Sequence, residues 1–261
     1  MTALEFEGKV ALVTGSSGGL GLRVAEKLAA GGATVVINSR SAENGQKALA
    51  GLHEISPHAR LAVGDCADAQ TAAEVARTAA AVSGRIDIVV SSGAQGRVPP
   101  KPFAEMTADE IVQAYQSRFL PRIFPVHAAL PYMREHGGSI VMVGTDAARH
   151  PTPGESIVGA VGAGVILMTK VLAKELSGWH VRVNAVSLTL TSDTPSWDRI
   201  FGAEGDFQSK LFTKLSERFP WGRAPTAEEV ARVAVFLASD EAAQVTGQTI
   251  SVNGGLSFGG W

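Results

Sequence analysis

The sequence predicts a single α/β domain built on a seven-stranded parallel sheet, doubly wound with helices on both faces. Two observations carry that prediction. Short β-branched runs alternate with longer segments of helical period along the whole chain. A glycine-rich turn follows the first of these runs and opens a helix. The length of 261 residues suits one large α/β domain or two small ones. No repeat, low-complexity stretch or linker divides the chain, so the domain is drawn as 1–261.

The elements follow in order. Val10–Thr14 reads as the first strand and Leu20–Ala30 as its helix. Thr34–Asn38 is the second strand, followed by a helix over Ala42–His53. Leu61–Val63 is the third, with a helix over Ala69–Val82, and Asp87–Ser91 the fourth. Thr107–Met133 holds a long helix with Pro121 and Pro125 awkwardly near its middle. Ser139–Val143 is the fifth strand, Glu155–Leu176 a helix, and Val181–Val186 the sixth strand. A helix over Thr226–Ala238 opens on a capping box of Thr226 and Glu229, and Gln248–Val252 closes as the seventh strand.

One segment breaks the rhythm. Residues 188–225 carry Trp197, Phe201, Phe207, Phe212, Phe219 and Trp221. Two readings stand: a lid over an apolar pocket on the substrate side, or a helical pair whose aromatics pack on the sheet or a partner.

Composition excludes several classes. Apolar residues make up 45% of the chain, enough for a large core. A net charge of −2 argues against a general nucleic-acid binder. The single cysteine, Cys66, can form neither an internal disulfide nor a Cys-rich zinc site, and no His/Asp/Glu cluster has metal spacing. No run of 18 apolar residues suggests a membrane span, and the acidic start is unlike a signal peptide, so a cytoplasmic protein is expected.

Chemistry starts at the first strand's end, in Thr14-Gly15-Ser16-Ser17-Gly18-Gly19-Leu20-Gly21. Glycines let the backbone approach a pyrophosphate, and the following helix offers unpaired N–H groups and its positive dipole end. Gly15, Ser17, Gly19, Leu20 and Gly21 are therefore candidate cofactor ligands. After the second strand comes Asn38-Ser39-Arg40, without an acid to accept ribose hydroxyls. Arg40 can clamp a 2′-phosphate and Ser39 can hydrogen-bond it, which favours NADP(H) and leaves NAD(H) open.

The glycine spacing after Thr14 resembles the short-chain dehydrogenase/reductase family, a Rossmann-type fold, and the resemblance runs over nearly the whole chain. Asp65, with Cys66 beside it, resembles the family's adenine-contacting position. Ser91-Ser92-Gly93-Ala94 stands where the family has Asn-Asn-Ala-Gly, which makes Ser92 and Gly93 further cofactor candidates. Arg182-Val-Asn184-Ala-Val-Ser187, the segment Trp221–Val230, and the pair Val245–Gln248 and Val252–Gly255 resemble its later signatures. The resemblance also implies a homodimer or homotetramer and a small-molecule substrate, with neither nucleic acid nor membrane as partner.

The family's proton relay uses Asn, Ser, Tyr and Lys, with the last two spaced Y-x-x-x-K on one helix face. Thr145 matches the Ser position, but the Tyr and Lys positions read Val158 and Gly162. The chain has only two tyrosines, Tyr115 and Tyr132, and neither has a lysine four residues on, so no choice of register restores the motif. The family's Asn falls near Ser117 or Arg118, and Leu188-Thr189 replaces Pro-Gly after the sixth strand. Gly159, Gly162 and Gly164 on one helix suggest close packing against a twin subunit or a widened cavity. Candidate replacements are Thr145 for its hydroxyl and Asp146, His150 and Glu155 as acid or base, with Arg149 nearby and Arg118 as a substitute charge.

Three functions remain open on this reading. One is an atypical oxidoreductase using NADP(H) on a carbonyl or alcohol with apolar surface. Another is a non-redox enzyme on the same fold: an isomerase, dehydratase or lyase. The last is a catalytically inactive NADP(H)-binding scaffold or regulator.

Overall fold

The computed structural model describes residues 5–93, 96–202 and 207–258. Seven parallel strands form one sheet: β1 Val10–Thr14, β2 Thr34–Ser39, β3 Arg60–Val63, β4 Ile88–Ser91, β5 Gly138–Thr145, β6 Val181–Leu188 and β7 Thr249–Ser251. Their order is β3-β2-β1-β4-β5-β6-β7. The chain therefore reverses its direction of travel between β1 and β4. That switch point opens a crevice at the strands' C-terminal ends, where ligands of such sheets bind.

Helices cover both faces. Apolar residues of α1 (Gly19–Ala30), α2 (Ala42–His53) and α8 (Ala227–Ala238) pack with one sheet face around Val24, Leu28, Ile37 and Val235. Those of α3 (Ala69–Ala80), α4 (Ala108–Ala129) and α5 (Ser156–Glu175) pack with the other around Leu12, Val75, Met133 and Ile140. Central strands buried on both faces explain their unbroken Val/Ile/Leu runs. Caps set the helix starts: Ser41, Asp68, Thr107 and Thr226 each accept a first-turn amide, and the last two complete capping boxes.

Three features of these elements have physical causes. Helix α4 runs unbroken through Pro121 and Pro125, although each internal proline costs about 3 kcal/mol in isolation. Both prolines are buried, so packing against the neighbouring core outweighs the lost backbone bonds. Strands β5 and β6 are longer than their apolar runs because they pair over all eight residues, down to Thr145↔Leu188. Helix α5 contains an 18-residue window of mean hydropathy 1.9, the length and composition of a membrane span. It serves here as the crossover helix between β5 and β6, with Val161, Val165 and Ile166 buried and Leu167 63% exposed.

The segment after β6 folds as α6 (Pro195–Gly202) and α7 (Phe207–Ser216). Leu190, Phe212, Phe219 and Ala224 form a small core of their own, edged by Trp197, Ile200 and Phe201. Most of the aromatics pack with one another, while Leu190, Trp197 and Ile200 also line the crevice. Trp221 points outward and is 75% exposed.

Candidate active site

A groove of about 460 Å³ runs along the C-terminal ends of β1, β2, β4, β5 and β6. It is large enough for a cofactor-sized ligand. At its first wall, Gly15 has φ +61°, and a Cβ there would lie 2.3 Å from the Gly93 Cα. The two loops after β1 and β4 therefore touch backbone to backbone, which only glycine allows. Gly18 caps α1 with no side-chain hydrogen bond, so the helix presents its first amides to the groove. Backbone approach and uncapped amides together suit the pyrophosphate of a dinucleotide. Ser17, Gly19, Leu20, Gly21, Ser92 and Gly93 line the same space, whereas Ala94 lies outside the described residues.

Asn38 braces this end. Its Nδ2 donates to the carbonyls of Ala62 and Gly64, each at 3.1 Å, tying β2 to β3 and the turn beyond. Arg40 and Asn44 line the groove beside it. Ser39 also lines it, but its hydroxyl donates to the Ser41 carbonyl at 2.8 Å and accepts the Ser41 amide at 3.2 Å. Its one proton is already used in a turn, so the expected Ser39 bond to a phosphate is not available in this geometry. Asp65 accepts the Ala67 amide at 3.0 Å and pairs with Arg97 at 2.8 Å. Arg97 thus spans the mouth from the loop after β4, a groove residue that sequence reasoning missed. Cys66 lines the groove as a closed thiol: burial, then the neighbouring Asp65 charge, push it up to about 12. It is a packing residue rather than a reactive one.

The far end is where the proton relay was expected. Thr145 lines the groove at the end of β5. Its Oγ1 accepts the Ala147 amide at 3.3 Å, which leaves the hydroxyl proton free to donate. Gly162 on α5 is packed shut. A Cβ there would lie 2.6 Å from the Thr145 Cγ2, 2.9 Å from the Ala148 Cβ and 3.2 Å from the Thr145 carbonyl oxygen. At Gly159 a Cβ would meet the Ala147 carbonyl at 2.6 Å, and at Gly164 the Phe119 ring at 3.2 Å. These glycines let α5 press onto the turn after β5 and onto α4. They do not widen the cavity.

The remaining candidates separate. Asp146 is 2% exposed and does not line the groove. It accepts from Ser251 at 2.7 Å, from Asn253 at 2.5 Å and from Ser257 at 3.4 Å. Arg149 donates to the Ser251 hydroxyl and the Thr249 carbonyl. The pair therefore ties the C-terminal segment to β5, which corrects the acid–base reading of Asp146. His150 has a buried Nε2 without a partner among the described residues, and it too stands back from the groove.

Glu155 is the most perturbed acid of the set. Burial raises its carboxyl to about 7, and the Arg118 charge opposes that shift in part. It immediately precedes α5, three residues before Val158, and is likewise absent from the groove lining. Arg118 donates to the Val98 carbonyl at 2.7 Å, and its own pKa is lowered by burial. Arg122, one turn further along α4, reaches the groove where sequence reasoning placed nothing. The only hint was its spacing from Arg118. Among the described residues no group of three His, Cys, Asp or Glu side chains could hold a metal.

A family model described as enoyl-(acyl carrier protein) reductase matches residues 15–257. The chain belongs to the short-chain dehydrogenase/reductase family. The 3-oxoacyl-[acyl-carrier-protein] reductase FabG of Thermotoga maritima is 34% identical over 97% of this chain and 99% of its own. Among solved structures, a short-chain oxidoreductase of Pseudomonas aeruginosa PAO1 described as containing an atypical catalytic center has TM-score 0.86. It is 34% identical, covering 98% of this chain and 99% of the other. YwfH, described as an NADPH-dependent reductase involved in bacilysin biosynthesis, also has TM-score 0.86, at 25% identity over 95% and 98% of the two chains. Family members are oxidoreductases that work with NAD(H) or NADP(H). The glycine approach and uncapped α1 amides of this chain fit such a cofactor.

Proposed function

We propose that this chain is an NADP(H)-dependent oxidoreductase for a carbonyl or alcohol group on a small molecule with apolar surface. A carboxyl group replaces the family's tyrosine as proton donor. The observation that carries the reading is the groove itself: Gly15 meets Gly93 backbone to backbone by the uncapped start of α1, and Thr145 lines the far end with a free hydroxyl proton. Glu155, raised to about 7 by burial and three residues before the Val158 at the tyrosine position, is the acid assigned to the proton. A general acid works best when its pKa lies near the working pH.

The nicotinamide, when bound, supplies or accepts the hydride. The residues do the rest. Backbone amides from Ser17 to Gly21 would hold the pyrophosphate, and Arg40 a 2′-phosphate. Thr145 donates its free proton to the substrate oxygen as a hydrogen bond, which orients and polarises it. Glu155 releases its proton toward that oxygen through water, and the Arg118 charge favours the carboxylate left behind. His150, with its orphaned Nε2, is the second candidate for the relay. Leu190, Trp197 and Ile200 supply the apolar wall.

The reading includes self-association as a homodimer or homotetramer in the cytoplasm. Val112 and Tyr115 on α4 and Leu167 and Val171 on α5 are all exposed apolar side chains on adjacent helices. A second copy of the same face would cover them.

The decisive assay follows product and nicotinamide absorbance together across a panel of aldehydes, ketones and alcohols. Stoichiometric change in both supports the reading. Product without absorbance change would favour isomerase, dehydratase or lyase chemistry, and cofactor binding without product would favour a scaffold. For cofactor choice, Arg40→Ala is expected to weaken NADPH binding by about 10- to 100-fold while leaving NADH within a few-fold, since one charge-assisted phosphate contact contributes roughly 1.5–3 kcal/mol. Equal loss of both cofactors by calorimetry would remove Arg40 from the 2′-phosphate role.

A further inference from the structure

Arg122 is held in place from three directions. Its Nε donates to the Val143 carbonyl at 2.8 Å, and its Nη1 donates to the Arg118 carbonyl. Its own carbonyl accepts the Ser91 hydroxyl at 2.8 Å, which pins the residue to the end of β4. The guanidinium is thereby fixed beneath the end of β5, and it lines the groove with Thr145, Ser117 and Leu188. Its Nη2 has no partner among the described residues, and no acid forms an ion pair with it there. Burial, and then the like charge of Arg118, push it down to about 10.

A guanidinium desolvated beside a second cation calls for a compensating anion. Neutral ribose hydroxyls would satisfy its N–H groups but not its charge. The phosphate cradle lies at the other end of the groove, around α1 and Arg40. The lining also includes the apolar Pro121, Leu188 and Leu190 among polar hydroxyls such as Ser117 and Thr145. A fixed planar fork with a free amino edge matches a carboxylate better than any other common anion of that size.

We infer that Arg122 anchors a carboxylate of the substrate, so that the groove's substrates are oxo or hydroxy acids with an apolar body. The inference rests on the redox reading for the substrate's reacting group, but not for the anchor itself.

The test therefore measures binding, not turnover. Acetate, butyrate, hexanoate and phenylacetate, with hexanamide and phenylacetamide as neutral isosteres, are titrated calorimetrically into the full chain with and without NADPH. The larger carboxylates are expected to bind at least about tenfold tighter than their amides. Arg122→Met should abolish that preference and leave NADPH affinity within about threefold. Arg122→Lys, which keeps the charge, should retain part of it. If Arg122→Met fails to melt cooperatively, the Lys variant decides: unchanged acid preference with its fork removed would count against a bidentate anchor. Equal binding of acids and amides, or no carboxylate binding at millimolar concentration, would overturn the inference. So would a tenfold loss of NADPH affinity in Arg122→Met, which would assign the guanidinium to the cofactor. A wild-type chain that binds carboxylates through Arg122 but never NADPH would keep the anchor and sink the redox reading instead.

Discussion

Restoring the family's motif by Val158→Tyr with Gly162→Lys is expected to destabilise the protein and yield no gain in turnover. The reason is steric. Any Cβ at Gly162 enters a space held by the Thr145 methyl, the Ala148 methyl and the Thr145 carbonyl. None of these is the far end of a flexible side chain, so strand end and helix must move apart. Overpacking of this kind costs about 1–3 kcal/mol, which for a chain this long lowers Tm by roughly 3–10 °C. The cleanest single measurement is Gly162→Ala followed by thermal unfolding. Helix propensity alone says that this change stabilises by about 1 kcal/mol, whereas the contacts at Gly162 say that it destabilises. A rise in Tm would refute the packing argument. Pairing Gly162→Ala with Thr145→Ser, which deletes the clashing methyl, should recover much of the loss.

Glu155→Gln carries the second large effect. An acid–base group contributes about 10²–10⁴ in rate, so kcat for reduction should fall by at least about 100-fold. NADPH affinity should be unchanged, because Glu155 does not line the groove. The pH profile separates chemistry from structure. The proton-donating form of Glu155 is lost as pH rises through about 7, so wild-type reduction should decline there. The glutamine variant should lack that limb. Stability gives an independent check with a definite sign. The folded carboxyl titrates near 7 and the unfolded one near its ordinary 4.5. Between those values the folded state binds more protons, so stability falls as pH rises through that window and levels off above it. Thermal melts of Glu155→Gln should be free of this slope. A variant with full activity, or a wild type with no such slope, would leave the proton donor to His150 or to solvent held by Thr145.

These two expectations share one origin. At the Thr145 end of the groove, Val158 and Gly162 stand at the motif's tyrosine and lysine positions, and the space at Gly162 is closed by packing. The Thr145 side chain that replaces the family's serine adds the methyl that fills the lysine corner. Arg122 reaches the same end of the groove from α4 rather than α5. The α1 end, by contrast, carries the glycines, an uncapped helix start and the Asn38 brace.

Local sequence was enough for what local physics decides. Hydrophobic period located the strands and helices, capping residues set their starts, and the glycines after the first strand marked a turn that lines the groove. The missing Y-x-x-x-K was legible because a motif absent from every register needs no alignment. What failed were judgements about partners far apart in the chain. Asp146 looked like a candidate acid among charged neighbours. It is a buried acceptor for Ser251 and Asn253, residues more than 100 positions away. Ser39 looked free to bind phosphate until its proton was seen committed to Ser41. Arg122 gave no signal because its meaning depends on where the end of β5 lies relative to α4. The sheet and the missing Y-x-x-x-K could be read from the sequence alone, because each follows from residues within a turn or two of one another. Only the tertiary structure decided which charges face the groove and why glycine must stand at 162, because burial and steric contact belong to pairs that the chain brings together only on folding.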